Sequence, residues 1–264
     1  MLAAVDVLID SHTHLDHCKE DAADLIREAS AAGVAVIIQS GIDLASSRYS
    51  VDVAEKYPGV FATAGFHPQE AGNLDDEQMA GIEELTANPR VVGVGETGFD
   101  FFHDRWPHEE QEDVFVRHMD LARRAGLPVV IHTREAEERT LSLLAEHAVD
   151  LTVILHCFSL PQRLEEVVAR GYYLSFAGNV TYKNAPDLQA AALAVPADLL
   201  LLETDAPWLT PVPLRGRPNR PALVSHVYDF VAGLRGLTVD ELAVQVEANV
   251  CRAFPRLAGQ LRGS

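Results

Sequence analysis

In this 264-residue chain seven residues of the types that bind divalent metals or carry protons stand at or near the ends of short apolar runs. They are His12 and His14 in residues 5–16 (VDVLIDSHTHLD), His67 after VFATAGF, Glu96 in RVVGVGETGFD, His132 after LPVVI, His156 in LTVILHC and Asp205 after DLLLLET. Side chains alternate along a strand, so His12 and His14 project the same way and bring two imidazoles to one spot. Imidazole nitrogens and carboxylate oxygens between them suit Zn, Mn and Mg. Without His67, the four histidines His12, His14, His132 and His156 and the two carboxylates exceed the three protein ligands of a single catalytic zinc, which favours two ions. Glu96, with two oxygens, can bridge ions roughly 3.5–4 Å apart; His12, His14 and Asp205 then complete one shell, and His132 with His156 the other. Each residue alone has a structural role open to it: His67 before Pro68 can shape a turn, Glu96 can pair with a cation, His132 can face Arg134. Their recurrence at strand ends is what favours the metal.

Such a set needs elements whose ends meet. Residues 5–16, 34–41, 60–68, 90–100, 127–132, 151–157, 172–177 and 198–205 read as strands, several of them apolar without alternation, the pattern of strands buried on both faces of a parallel sheet. Helices lie between them. Ala22, Leu25, Ile26, Ala29 and Ala32 recur at helical spacing before Gly33, a C-terminal cap. Further helices cover residues 44–57, run through Met79, Ile82 and Leu85, extend from Pro107 to Gly126, and carry Leu141, Leu144 and Ala145. Ser159 can cap the next and Pro161 open it. A loop rich in Pro and Arg (208–221) leads to a helix near 223–234, and Thr238 with Glu241 forms a capping box for the last. Eight strand-plus-helix units in one α/β chain predict a (β/α)8 TIM-type barrel, a single domain over 1–264, with a doubly wound open sheet as the runner-up. The polar strand ends decide between them, because a barrel gathers its C-terminal strand ends around one mouth.

A hydrophobic content of 48% supports a core large enough for this. Twenty-one Lys and Arg against 39 Asp and Glu give a formal charge of -18, which favours solubility and repels polyanions at long range. A nucleic-acid substrate must therefore be held locally. Residues 1–6 carry no basic segment and the apolar runs are too short to span a bilayer, so a cytoplasmic protein is expected. Cys18, Cys157 and Cys251 lie far apart without a C-x-x-C pair, which indicates neither a disulfide framework nor a thiolate zinc site. His17, His103, His108, His118, His147 and His226 fall in loops or helices and read as solvated or hydrogen-bonded.

The motifs HTHLD, GFHP, GETGFDF, IHTREA, HCFS, LLETDAPWLTP and PNRP stand in this order, followed by Asn249-Val250-Cys251-Arg252-Ala253-Phe254. The succession spans nearly the whole chain and resembles the TatD-type deoxyribonucleases, a branch of the metal-dependent hydrolase (amidohydrolase-like) superfamily. That resemblance implies a barrel with His12, His14, Glu96, His132, His156 and Asp205 as metal ligands and His67 near the scissile group. It also implies a Mg-, Mn- or Zn-assisted nuclease acting on DNA, often from the 3′ end. Leu160 stands where the family commonly has Gly after HCFS, and Phe101-Phe102 replace a Tyr-containing pair. Neither departure touches an expected ligand, so both bear on the shape of the mouth and the choice of substrate.

The expected chemistry is hydrolysis of DNA phosphodiester bonds with two divalent ions as cofactors, exonucleolytic from single-stranded or frayed 3′ ends. The ions lower the pKa of a bound water and neutralise phosphate charge. Asp205 orients or deprotonates that water, Glu96 bridges, and His67 donates to a phosphoryl oxygen or the leaving group. Among Arg134, Lys183, Arg215, Arg217 and Arg220, the cations in or after strand-end loops, Arg134 and Arg220 are expected beside His67 as substrate contacts. Phe101, Phe102 and Trp208 could stack on terminal bases, with core packing claiming at least one. Two rivals stay open. The same site could cleave an amide, ester or lactone in a small metabolite or a misacylated tRNA. A non-catalytic scaffold is the other, against which the complete ligand set counts.

Overall fold

The computed structural model describes residues 7–261; Val5 and Asp6 of the expected first strand, and the whole segment 1–6, lie outside the described residues. Among the described residues eight strands form one sheet in the order β1-β2-β3-β4-β5-β6-β7-β8. They are β1 (Leu8–Thr13), β2 (Val34–Ser40), β3 (Val60–Ala64), β4 (Val91–Asp100), β5 (Val129–Arg134), β6 (Val153–Leu155), β7 (Tyr173–Phe176) and β8 (Leu200–Leu202). The pairings β3–β4, β4–β5, β5–β6 and β7–β8 are parallel. This is the (β/α)8 TIM-type fold, and the doubly wound alternative falls because an open doubly wound sheet reverses its strand order partway. β6 and β8 are shorter than their apolar runs, so His156 and Asp205 lie beyond the regular strands.

Helices follow the strands in turn: α1 (Ala22–Ala31), α2 (Leu44–Lys56), α3 (Asp76–Thr86), α4 (His108–Ala125), α5 (Glu137–His147), α6 (Leu164–Ala169), α7 (Pro186–Ala194), α8 (Val224–Arg235), α9 (Val239–Ala253) and α10 (Pro255–Leu261). Their ends are chemically marked. α4 has Glu109 and Glu110 in its first turn, Arg123 and Arg124 in its last, and Gly126 at φ 64° beyond, which suits the helix dipole and a left-handed cap. The capping box opening α9 forms, with Glu241 N–H donating to Thr238 Oγ1 at 3.2 Å and Thr238 N–H to Glu241 Oε2 at 2.8 Å. Ser159 does not cap; its hydroxyl donates to the Thr133 carbonyl at 3.0 Å, and the turn at Pro161–Arg163 opens without a side-chain cap.

The chain divides into two compact units. One holds residues 1–38 and 160–252, in which α8 packs on β1 and β8. Tyr228 of α8, fully buried, accepts from the Ile9 N–H and donates to the Ile9 carbonyl, both at 3.2 Å, and so pins β1. The ladder continues past β8, with Asp205 N–H donating to the His12 carbonyl (3.0 Å) and His14 N–H to the Ala206 carbonyl (2.8 Å). The other unit holds residues 39–159 and 253–264, with α2 on β3 and α4 on β4. Phe61, Phe66, Phe99, Phe115 and Phe254 are buried there, each contributing about 1.5–3 kcal/mol by leaving water. The start of β4 is tied by Arg256, whose Nη1 donates to the Thr86, Asn88 and Val91 carbonyls. No helix among the described residues is long and apolar enough to cross a membrane.

Candidate metal centre

In the first unit, alternation along β1 sends Asp10, His12 and His14 to one side, and all three are buried. The Nε2 atoms of His12 and His14 lie 3.1 Å apart. At that distance one nitrogen can donate to the other, and with both unprotonated the two lone pairs could turn to a shared cation. The ladder between β1 and the segment after β8 sets Asp205 opposite, its Oδ1 3.6 Å from His14 Nε2. Asp205 has φ 52°, a left-handed conformation that costs a non-glycine residue about 1 kcal/mol or more.

Two acidic residues of this unit escape a reading based on strand ends. Asp10 accepts from the Thr204 N–H (2.8 Å) and hydroxyl (2.6 Å), and Glu203 is fully buried nearby in sequence. Burial holds the Asp10 carboxyl well above the usual carboxylate range, against the Thr204 hydrogen bonds and with the charge of Glu203 adding to the effect. Parity was the available signal, since 10 matches 12 and 14, and 203 matches 205. Trp208, half exposed, stands edge-on to His14 at 5.3 Å and 5.4 Å from the His17 ring. Arg220 is committed elsewhere, with Nη1 on Glu28 (2.9 Å) and Nη2 on Glu20 (3.1 Å), and Arg215 lies over the Tyr182 ring.

In the second unit the pairing of β4 with β5 shifts between Val94 and Thr97, a bulge that re-aims Glu96. Gly98 has φ 140°, and a Cβ there would lie 2.0 Å from the His132 carbonyl oxygen, so only glycine lets β4 run this close to β5. Glu96 Oε1 then lies 2.8 Å from His132 Nδ1, 2.7 Å from His156 Nε2 and 3.4 Å from His67 Nε2. His132 Nδ1 and His156 Nε2 are 3.3 Å apart. His67 Nδ1 accepts from the Gln69 N–H at 3.1 Å, which places its proton on Nε2, facing Glu96. Burial, with His132 beside it, lowers the His67 pKa to about 3, so His67 is a neutral hydrogen-bond donor.

Asp100, the last residue of β4, is the member of this cluster that the seven candidate residues leave out. Buried four positions after Glu96, it accepts from Gln69 Nε2 (2.9 Å), His103 Nδ1 (2.7 Å) and the His103 N–H (3.0 Å), and lies 3.5 Å from His132 Nε2. Burial pushes its pKa up, but the hydrogen bonds from His132, His103 and Gln69 prevail and hold it well below the carboxylate range. Burial likewise opposes charge on His132, and its bonds to Asp100 and Glu96 raise it nonetheless. A carboxylate behind one imidazole nitrogen helps fix which nitrogen faces the ligand position; here Nε2 lies 3.5 Å from Asp100 and Nδ1 faces Glu96. His103, itself exposed, is hydrogen-bonded to the buried Asp100, within the reading of it as solvated or hydrogen-bonded. His118 is hydrogen-bonded, one of the two states expected of it, donating from Nδ1 to the Val114 carbonyl and accepting at Nε2 from the Phe66 N–H. Phe101 stacks on His108 at 3.6 Å, whereas Phe102 is half exposed with Arg134 over its ring at 3.9 Å.

The donor sets fit divalent ions. Converging imidazole nitrogens and carboxylate oxygens, as in Glu96 with His132 and His156, suit Zn, Mn or Mg. Among the described residues the converging groups are made of His, Asp and Glu, and Cys18 donates its S–H to the His14 carbonyl at 3.5 Å, burial pushing its pKa up to about 12. A family model described as TatD related DNase matches residues 9–255. A Mycobacterium tuberculosis protein named an uncharacterized metal-dependent hydrolase is 38% identical over 260 residues, covering 94% of this chain and 97% of its own. A Cronobacter sakazakii protein named a 3'-5' ssDNA/RNA exonuclease is 37% identical over 249 residues, covering 92% and 94%. The crystal structure of a TatD homolog from Escherichia coli matches with a TM-score of 0.90 at 29% identity, over 96% of this chain and 99% of the other.

Proposed function

Because the chain belongs to the TatD-related DNase family of metal-dependent hydrolases, we propose that it cleaves phosphodiester bonds of single-stranded or frayed DNA from the 3′ end with two divalent ions as cofactors. The observation that supports this most is the approach of three imidazole nitrogens to one buried carboxylate oxygen, Glu96 Oε1. In this reading Glu96, His132 and His156 hold one ion, and His12, His14 and Asp205 hold the other. Bound divalent ions supply a lowered water pKa and offset the charge of the phosphate. Asp205 accepts the proton of the attacking water. His67, neutral with its proton on Nε2, donates a hydrogen bond to a phosphoryl oxygen or the leaving group. Asp100 keeps His132 in the tautomer that leaves Nδ1 available.

Phe102 and Trp208, both half exposed, offer faces to terminal bases, and Arg134 is the cation for an outer phosphate. Arg220, gripped by Glu20 and Glu28, holds its loop and is left out of the substrate contacts. A chain with a formal charge of -18 holds few phosphates, so the salt dependence should correspond to about two or three contacts. The test follows 3′-labelled and 5′-labelled oligonucleotides, single-stranded, duplex and RNA, beside an ester substrate, using metal-loaded protein across a salt series. Stepwise loss from the 3′ end of single strands is expected. Cleavage confined to internal sites of intact duplex, or ester hydrolysis without phosphodiester cleavage, would reject the proposal.

A further inference from the structure

β8 is held at its two ends by two asparagines that make matching hydrogen bonds. At the N-terminal end Asn249, buried on α9, donates both Nδ2 protons, to the Ala197 and Leu200 carbonyls at 2.7 Å each, while its Oδ1 accepts from Arg252. At the C-terminal end Asn219, equally buried, donates to the Thr204 (2.9 Å) and Trp208 (2.6 Å) carbonyls, and its Oδ1 accepts from the Arg220 N–H at 2.9 Å. Each amide is fully used, which fixes its orientation. Between the two carbonyls gripped by Asn219 lies Asp205, in its left-handed conformation. The same segment is tied from the other side. The Asp10 carboxyl accepts the Thr204 N–H and hydroxyl, and Thr204 Oγ1 accepts from the Ala206 N–H at 3.2 Å. The Trp208 N–H closes on the Asp205 carbonyl at 3.0 Å, and the Asn219 N–H on the Pro207 carbonyl at 3.1 Å.

We propose that Asn219, acting with Thr204 and Asp10 through the peptide groups on either side of Asp205, is a positioning residue for the Asp205 carboxylate, whereas Asn249 secures only the strand. The proposal rests on Asp205 being a metal ligand and proton acceptor. A non-glycine residue stays left-handed only where its surroundings over-determine it, and Asn219 supplies two of the donors that do so here. Without them the segment relaxes and the carboxylate shifts relative to His14. That harms ion holding and proton acceptance but leaves substrate binding alone. Conserving the fold and placing the chemistry thus fall to opposite ends of one strand, as the two ends of barrel strands divide in general.

Asn219→Ala and Asn249→Ala in the full chain separate the two roles, read by melting temperature, Mn2+ affinity by calorimetry, and kcat and KM on a labelled single-stranded oligonucleotide. Both variants should melt earlier, because each removes two amide donors, one of them from a buried carbonyl at Leu200 or Thr204. Asn219→Ala alone should lower kcat about 10- to 100-fold and weaken Mn2+ binding about tenfold, with KM within about threefold of wild type. If Asn219→Ala does not fold, Thr204→Val replaces it, with Thr204→Ser expected to restore the wild-type kcat. Equal Mn2+ affinity and kcat in the two asparagine variants, or Thr204→Val as active as Thr204→Ser, would overturn the proposal. Wild-type turnover in Asp205→Asn would overturn instead the reading on which it rests. Should the wild-type chain bind Mn2+ and spare the oligonucleotide, the function fails and the Mn2+ comparison decides the positioning.

Discussion

The two ligand clusters are held by opposite means. Around Glu96 the side chains hold one another: one carboxylate oxygen faces three imidazoles, and Asp100 stands behind His132. Around His12 and His14 the backbone does the holding, through ladder bonds from Asp205 and to Ala206, while the side chains approach only to 3.1 and 3.6 Å. A side-chain network suffers from the loss of any member, because the others are left buried and unsatisfied. A backbone-held group suffers instead when its peptide frame is loosened, which is why Asn219 and Thr204 matter there although neither is expected to touch an ion.

The most forceful way to break this contrast is to push the backbone of the side-chain cluster. Gly98→Ala puts a Cβ 2.0 Å from the His132 carbonyl oxygen at a φ that L-residues avoid, and should cost about 3 kcal/mol or more in urea unfolding. Gly126→Ala, at φ 64° with open space around it, should cost only about 1 kcal/mol. Similar losses would mean that β4 is not tightly constrained beside β5.

A smaller effect sharpens the contrast within the cluster itself. Asp100→Asn keeps the shape but removes the acceptor charge behind His132, so metal affinity, measured by competition with a chelator, should fall about 10- to 100-fold, and the melting temperature should fall as well because Gln69 and His103 lose a charged acceptor. Unchanged affinity would show that Glu96 alone orients His132.

The smallest effect lies outside both clusters. Burial lowers the His118 pKa from 6.5 to about 4, so between those values the unfolded chain binds the proton and the native chain does not. Unfolding then takes up a proton, and stability is lost as pH falls below 6.5, by about 1 kcal/mol at pH 5.5. His118→Gln should flatten the urea-midpoint profile over that range; a profile identical to wild type would contradict the assignment.

What could be read from the letters alone follows from what each residue depends on. The eight apolar runs announce the strands because burial on both faces needs no partner to be named, and the ligand types at their ends are visible for the same reason. β6 and β8 stop at Leu155 and Leu202 although the runs continue, since a strand ends where its ladder does. Asp100 shares the parity of Glu96 along β4, whereas Asn219 owes its place to a loop that folds back on Thr204 and leaves no periodic trace. The pairing of Arg220 with Glu20 and Glu28 has no local signal, because these partners lie some 200 and 192 positions away in the chain.

The central claim is that each cluster holds one divalent ion. Metal-stripped wild-type protein, Glu96→Gln and Asp205→Asn, each titrated with Mn2+ and checked by elemental analysis, test it directly. The account predicts close to two ions per wild-type chain, about one in each variant, and turnover abolished in both variants and by chelator. No bound metal at saturation with activity intact in chelator would contradict it.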